Sequence, residues 1–327
     1  MMRVVVTDYT FPALSAEEAA ARAAGAEFAA FQCRTGEEVA EAVKGADVAV
    51  VQFAPMTRAA IAGLAPNAAV IRYGIGYDNI DLAAANAHGV PAGYVPDYCL
   101  DEVADHTTAL ILSLLRKIPP LDASVRRGEW AAVKIASPLP AYGETTIGLL
   151  GLGQIGRAVV KRLAPSGFRF IVADPALDEA TAAGLGVERV TADALVARAD
   201  VLSLHVPATP ETTGFVNAER LSRMKRTAVL VNTARGALVD EAALAAALAS
   251  GTIAGAALDV FTTEPLPADS PLRDAPNLIL TPHAAWYSDA AITRLQQLVA
   301  DDIAAHLAGR PLRRPVPESI AARGGVR

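Results

Sequence analysis

The segment Gly151-Leu152-Gly153-Gln154-Ile155-Gly156 constrains the fold more than any other stretch of this 327-residue chain. The run Thr145-Thr146-Ile147-Gly148-Leu149-Leu150 before it reads as a short buried β-strand. Arg157-Ala158-Val159-Val160-Lys161-Arg162-Leu163 after it has the spacing of an amphipathic helix opened by Gly156. A second strand, Phe168 to Ala173, then delivers Asp174 at its C-terminal end. A strand that turns on glycines into a helix and returns as a strand belongs to a parallel α/β sheet.

The spacing also has a chemical meaning. Gly151 permits the tight turn, and Gly153 keeps side-chain atoms away from a pyrophosphate. Gly156 lets helix and strand pack closely, and the helix N-terminus offers N–H groups to the phosphates. A carboxylate at Asp174 accepts the hydroxyls of an adenine ribose and repels a 2′-phosphate, so the expected cofactor is NAD rather than NADP.

Length is sufficient for two domains, each with its own core. The formal net charge of −6 gives no electrostatic reason to expect a nucleic-acid or anionic-membrane partner. Met1 to Asp8 reads as a strand, without the apolar run and cleavage site of a signal peptide. No stretch has the apolar length of a membrane span. Cys33 and Cys99 make neither a disulfide framework nor a metal spacing, and no metal is expected. Cys99, at the start of a helix without a base nearby, reads as a passive cysteine. The chain is expected to be cytoplasmic.

Strand and helix signals alternate from the start. Val4-Val5-Val6, Asp47 to Val51 and Val70 to Tyr73 are β-branched runs, with helices predicted at Ala16–Ala24, Glu37–Lys44 and Ile80–His88. A helix runs from Asp101 to Arg116 and is ended by Pro119-Pro120, followed by a loop-rich stretch from Arg126 to Tyr142. A second βα series starts at Thr145, with strands at Val201–His205, Ala228–Asn232, Gly255–Val260 and Leu278–Thr281. The last helix, Ala290–Ala308, is surplus to that series and is expected to return to the first domain. The expected division is 1–100 with 290–327 for one domain and 101–289 for the inserted nucleotide domain. The tail from Arg310, with Pro311, Pro315 and Pro317, reads as extended and partly mobile.

Hydride delivery to a carbonyl needs a proton donor and a cation to orient the substrate. Among five histidines, His88, His106 and His306 read as ordinary helix residues, and His205 follows a strand that borders the cofactor. His283 lies just past a strand, in Thr281-Pro282-His283-Ala284-Ala285-Trp286, where open α/β sheets bind ligands. Two other strand ends present Arg235, in Val231-Asn232-Thr233-Ala234-Arg235-Gly236, and Glu264, in Asp259 to Pro265. A guanidinium fork can hold a carboxylate and touch the adjacent carbonyl oxygen. Glu264 would orient the imidazole and favour its protonated form.

These blocks, with Arg72-Tyr73-Gly74-Ile75-Gly76-Tyr77-Asp78-Asn79-Ile80-Asp81, resemble the NAD-dependent D-isomer-specific 2-hydroxyacid dehydrogenases over about residues 45 to 310. The resemblance implies two Rossmann- or flavodoxin-like domains with parallel sheets, the nucleotide domain inserted into the substrate domain, and an active site in the cleft between them. It implies a homodimer, with the helix after Asp101 and the loop beyond it as the contact. Arg235 would grip a 2-oxo acid, His283 would be its acid–base and Glu264 the partner of His283. The Gly74-Ile75-Gly76 turn would lend N–H groups to the carboxylate, with Arg72 beside it. Asp259 would bond the nicotinamide carboxamide. Gln154, Ile155, His205, Val206, Pro207, Thr212, Thr233, Ala234 and Ala285 would line the cofactor, together with the glycines, Asp174, Arg235 and His283. His283 to Ser288 is similar to the C-terminal-binding-protein branch, whose tryptophan would place Trp286 on the substrate pocket and suit a medium-sized apolar 2-oxo acid.

Three related readings compete. Formate dehydrogenases usually carry glutamine where Glu264 stands. D-3-phosphoglycerate dehydrogenase needs further cations near the pocket, for which the sequence offers Arg72. An NAD(H)-binding regulatory protein of the C-terminal-binding-protein type would retain the same groups. L-specific lactate and malate dehydrogenases place their glycine fingerprint near the N-terminus, unlike residue 151 here.

Overall fold

The computed structural model describes residues 1–320. It divides into two compact units: Met1–Cys99 together with the chain from Ser288 onward, and Leu100–Tyr287. Both are α/β units built on parallel sheets.

The first unit carries β1 (Arg3–Val6), β2 (Glu27–Ala30), β3 (Val48–Val51), β4 (Ala69–Arg72) and β5 (Ala92–Gly93), in the order β2-β1-β3-β4-β5. This is the flavodoxin-like order. Val4 to Val6 and Val48 to Val51 are fully buried, because helices cover both faces of a parallel sheet and leave no face for alternation. The helix Asp289–Leu307, capped by Ser288 Oγ on the Ala291 amide (2.9 Å), packs on the helix Ser15–Ala23 and on β3 and β4. Residues made late therefore complete a sheet made early.

The tail differs from its expectation. The Tyr94 amide donates to the Arg314 carbonyl (3.0 Å) and the Val316 amide to the Ala92 carbonyl (2.9 Å), an antiparallel pairing around Gly93 and Pro315. The edge of β5 offers unpaired backbone groups, and the tail satisfies them. The part of the tail expectation that falls on residues 321–327 lies outside the described residues.

The second unit carries β6 (Thr146–Leu150), β7 (Arg169–Ala173), β8 (Glu188–Arg189), β9 (Val201–Leu204), β10 (Val229–Asn232), β11 (Gly255–Leu258) and β12 (Leu278–Leu280). Their order is β12-β11-β10-β9-β6-β7-β8, a Rossmann sheet with one strand added beyond its sixth. The order reverses between β6 and β9, so their C-terminal ends flank the crevice where such sheets bind nucleotides. The helix Leu100–Leu115 packs on Gln154–Leu163 and on β10 and β11. It ends before the prolines. Lys117 turns into the left-handed region (φ 52°), and Pro119-Pro120 sit in the first turn of a new helix, Ile118–Arg126. There the missing proline N–H groups have no helical acceptor to lose. The expected loop from Arg126 contains a further short helix, Ala132–Ala136. Among the described residues, no helix is long and apolar enough to cross a membrane.

Candidate active site

The nucleotide half begins where β6 runs into Gly151 at φ +88°. A side chain there would meet the His205 carbonyl at 2.6 Å and Val206 at 2.7 Å, because β6 and β9 are neighbours at the reversal of strand order. Gly153 caps the helix Gln154–Leu163, and a Cβ built on it finds nothing within 4 Å. The helix starts two residues earlier than the sequence suggests, so Gly156 lies in its first turn. A side chain there would sit 2.9 Å from the Gly151 carbonyl. The amide end of a ten-residue helix thus faces unobstructed space, which fits a pyrophosphate.

Asp174 stands at the end of β7. Its Oδ2 accepts from the Leu152 amide (2.7 Å) and its Oδ1 from the Ala176 amide (2.8 Å), so the carboxylate ties the glycine turn to the next strand. Each oxygen keeps a second lone pair for a ribose hydroxyl. Past β9, the His205 Nε2 lies 2.8 Å from Ser203 Oγ. Burial pushes the His205 imidazole down to about 4, so it is neutral at neutral pH and unsuited to donate a proton. The turn from Val206 and Pro207 is closed by Thr212, whose hydroxyl donates to the Pro207 carbonyl (2.6 Å) and accepts from the Thr209 amide (2.8 Å).

Three adjacent strands, β10, β11 and β12, deliver the ionisable groups. At the end of β10, the buried Asn232 clamps the turn. Its Nδ2 donates to the Arg235 carbonyl (2.8 Å) and its Oδ1 accepts from the Ala234 amide (3.0 Å). Arg235 Nη1 donates to the Ala234 carbonyl (2.7 Å). The following residue has to be glycine, because a Cβ on Gly236 would collide with the Phe261 backbone. The turns after β10 and β11 therefore touch main chain to main chain. Glu264 Oε1 accepts from the Phe261 amide (2.9 Å), and Oε2 lies 2.7 Å from His283 Nδ1. Burial opposes ionisation of Glu264. The bond and charge of His283, the Phe261 amide and the Arg235 guanidinium outweigh it and hold the carboxyl below the usual range.

His283 has φ +51°, a left-handed conformation that costs a non-glycine residue about 1–2 kcal/mol. The backbone is held there by the His283 amide, which donates to the Asp259 carbonyl (2.7 Å) and the Thr281 carbonyl (3.0 Å). The Asp259 side chain, fully buried, adds three bonds to the same turn. Oδ1 accepts from the Thr281 hydroxyl (2.5 Å) and the Ala284 amide (2.8 Å), and Oδ2 from the Ala285 amide (2.9 Å). Any contact of Asp259 to a nicotinamide carboxamide would be additional to these. Ala285 is buried, and the half-buried Trp286 packs edge-on to Tyr287, with ring centroids 5.9 Å apart.

In the first unit, Arg72 ends β4 and folds over the next turn, with Nη1 donating to the Tyr73 carbonyl. Gly74, at φ +126°, leaves space for that guanidinium, and its own amide donates to the Arg72 carbonyl (3.0 Å). Among Gly74, Ile75 and Gly76, the amides of Ile75 and Gly76 are then the better donors for a carboxylate.

Sequence reasoning passed over two residues on the helix Leu100–Leu115. His106 Nε2 lies 3.1 Å from Thr281 Oγ1, and Thr107 Oγ1 lies 2.7 Å from Thr233 Oγ1. The available signal was a run of four polar residues, Asp105 to Thr108, on a helix whose neighbours Val103, Ala104, Leu110 and Ile111 are buried.

Residues 108–285 match the model of the D-isomer specific 2-hydroxyacid dehydrogenase NAD binding domain. The chain is 39% identical over 291 residues to D-3-phosphoglycerate dehydrogenase of Mycobacterium tuberculosis, covering 89% of this chain and 54% of that protein. It thus spans about half the length of that relative. Glycerate dehydrogenase of Methylorubrum extorquens is 38% identical over 284 residues, 85% of this chain and 88% of that one. Among solved structures, the TT0316 protein of Thermus thermophilus superposes with a TM-score of 0.85 at 34% identity, over 96% of this chain and 100% of that one.

Proposed function

This chain belongs to the D-isomer specific 2-hydroxyacid dehydrogenase family, and on that premise we propose that it interconverts a 2-oxo acid and a D-2-hydroxy acid with NAD. The observation that carries the reading is the 2.7 Å pair of His283 and Glu264, with Arg235 delivered by the neighbouring strand of a dinucleotide-binding sheet. Bound NADH supplies the hydride. His283 turns Nδ1 to Glu264, which leaves Nε2 as the atom that hands a proton to the substrate oxygen during reduction and takes it back during oxidation. Arg235 holds the carboxylate and draws electron density toward the carbonyl oxygen. The amides of Ile75 and Gly76 are proposed as further carboxylate donors, with Arg72 shaping their turn. The glycine turn with Gln154 and Ile155 would hold the pyrophosphate and Asp174 the ribose. Val206, Pro207, Thr212, Thr233, Ala234, Asp259 and Ala285 are proposed to border the remainder of the cofactor.

For the substrate side chain we favour a medium-sized apolar group against Trp286. A phosphorylated substrate is less well supported, because the Arg72 guanidinium is already turned onto the Tyr73 carbonyl. A panel of 2-oxo acids assayed for NADH and NADPH oxidation tests the reading. Apolar oxo acids should turn over best, NADH should outperform NADPH by about tenfold or more, and Asp174→Ala should narrow that gap. Trp286→Ala should lower kcat/KM chiefly for the bulkier acids. Tight NADH binding without turnover on any acid would favour a regulatory binding protein. A phosphorylated acid as the sole substrate would favour the phosphoglycerate reading.

We also propose a homodimer through the region after Leu115. Ile118, Val125, Trp130 and Val133 are 54%, 55%, 92% and 82% exposed, an apolar set that a second copy would cover. Beside it lies a cavity of about 910 Å³ lined by Leu114, Pro119, Ile135, Pro138 and Leu278. Sedimentation at micromolar concentration reads the mass directly, and a single-chain mass would exclude the dimer. A cytoplasmic location is proposed too, and cell fractionation would check it.

A further inference from the structure

We propose that His106 and Thr107, consecutive residues of the helix Leu100–Leu115, are positioning residues that hold the turns after β10 and β12 from behind. The proposal rests on the roles given above to Arg235 and His283.

The direction of each hydrogen bond follows from counting protons. The Thr281 hydroxyl gives its only proton to Asp259 Oδ1 (2.5 Å). It can then only accept from His106 Nε2 at 3.1 Å, so His106 carries a proton on Nε2. The relay runs from His106 through Thr281 to Asp259, and Asp259 fixes the amides of Ala284 and Ala285. The Asp259 carbonyl accepts from the amide of His283 itself.

Thr107 is built the same way. Its hydroxyl proton goes to the Val103 carbonyl (2.7 Å), so in the 2.7 Å contact with Thr233 it accepts. Thr233 is thereby anchored two residues before Arg235, and it faces any ligand as an acceptor. Thr107 is fully buried, which makes an unpaired hydroxyl there costly and the pairing persistent. One helix, packed on β10 and β11, thus reaches both chemical turns through adjacent side chains. Residues i and i+1 of a helix point about 100° apart, which lets neighbouring positions serve two different strand ends.

The experiment is steady-state kinetics on His106→Phe, His106→Gln, Thr281→Val and the His106→Phe/Thr281→Val double variant. His106→Phe should lose about ten- to a hundredfold in kcat, with the KM for NADH and for the 2-oxo acid changed less than about threefold. His106→Gln keeps a donor near the Nε2 position and should recover most of that loss. Thr281→Val should match His106→Phe, and the double variant should be no worse than either, because both break the same relay. Thr107→Val, close in shape, should instead raise the KM for the oxo acid through Arg235, and Thr107→Ser should restore it. A wild-type kcat in His106→Phe overturns the proposal, as does a loss that His106→Gln does not recover or that adds to Thr281→Val. His283→Ala is run alongside. If it keeps turnover, the assigned chemistry fails and the positioning roles fail with it; if it loses turnover while His106→Phe does not, the positioning proposal alone fails.

Discussion

Replacing His283 with alanine should lower kcat for 2-oxo acid reduction about a thousandfold and leave NADH affinity within about threefold. The expectation rests on what the imidazole alone provides. His205 is held neutral by burial, and its Nε2 is engaged with Ser203 Oγ. His106 Nε2 is committed to Thr281. Neither can take over the proton. His283 sits at φ +51°, a region that alanine tolerates less well than histidine. Asparagine tolerates that region better, so His283→Asn separates lost chemistry from a distorted turn. Glu264→Gln tests the other half of the pair. The Glu264 carboxyl is held below its usual range, so it is an anion beside His283 throughout the neutral pH region. Glutamine keeps an acceptor for Nδ1 but removes that charge, so kcat should fall while the KM for NADH stays within about threefold. Near-normal turnover of His283→Ala, or an unchanged kcat for Glu264→Gln, would falsify the acid–base assignment.

Arg235→Lys should lower kcat/KM for the oxo acid by about a hundredfold or more, with the loss shared between kcat and KM. The guanidinium already gives Nη1 to the Ala234 carbonyl and lies near enough to Glu264 to lower its carboxyl. A planar fork can keep such a bond and still offer donors to a substrate. An ammonium, as a point charge, cannot reproduce both. The Asn232 clamp does not depend on the side chain, so the turn should survive the exchange and thermal stability should change little. A kcat/KM within about threefold of the parent would show that a point charge suffices and that the fork is not what holds the carboxylate.

Much of this was legible before any coordinates because strand ends write themselves into sequence. Valine-rich runs mark β1, β3 and β10, and the residues that follow each run are the ones the sheet must present at its C-terminal edge. The glycines at 151, 153 and 156 advertise a backbone shape that few other contexts require. Other features left weaker marks. β2 is Glu27-Phe28-Ala29-Ala30 and β8 is Glu188-Arg189, edge strands without β-branched runs whose pairing is set by the strand beside them. Pro119-Pro120 signals a break equally well at the end of one helix or the start of another, and the left-handed turn at Lys117 decided which. The tail's prolines suggest a solvated segment, but the open edge of β5 lies elsewhere in the sequence. His106 was invisible as a positioning residue because its partner, Thr281, is 175 positions away.

The first unit is assembled from two distant stretches of chain: β1 to β5 fall within residues 3–93, and the helix Asp289–Leu307 lies across β3 and β4. During synthesis the early strands must therefore wait, with one face uncovered, while nearly two hundred residues of the intervening unit emerge and fold from contiguous sequence. The nucleotide-binding unit can reach its native state on the ribosome; its companion can do so only once residues 289–307 have left the exit tunnel.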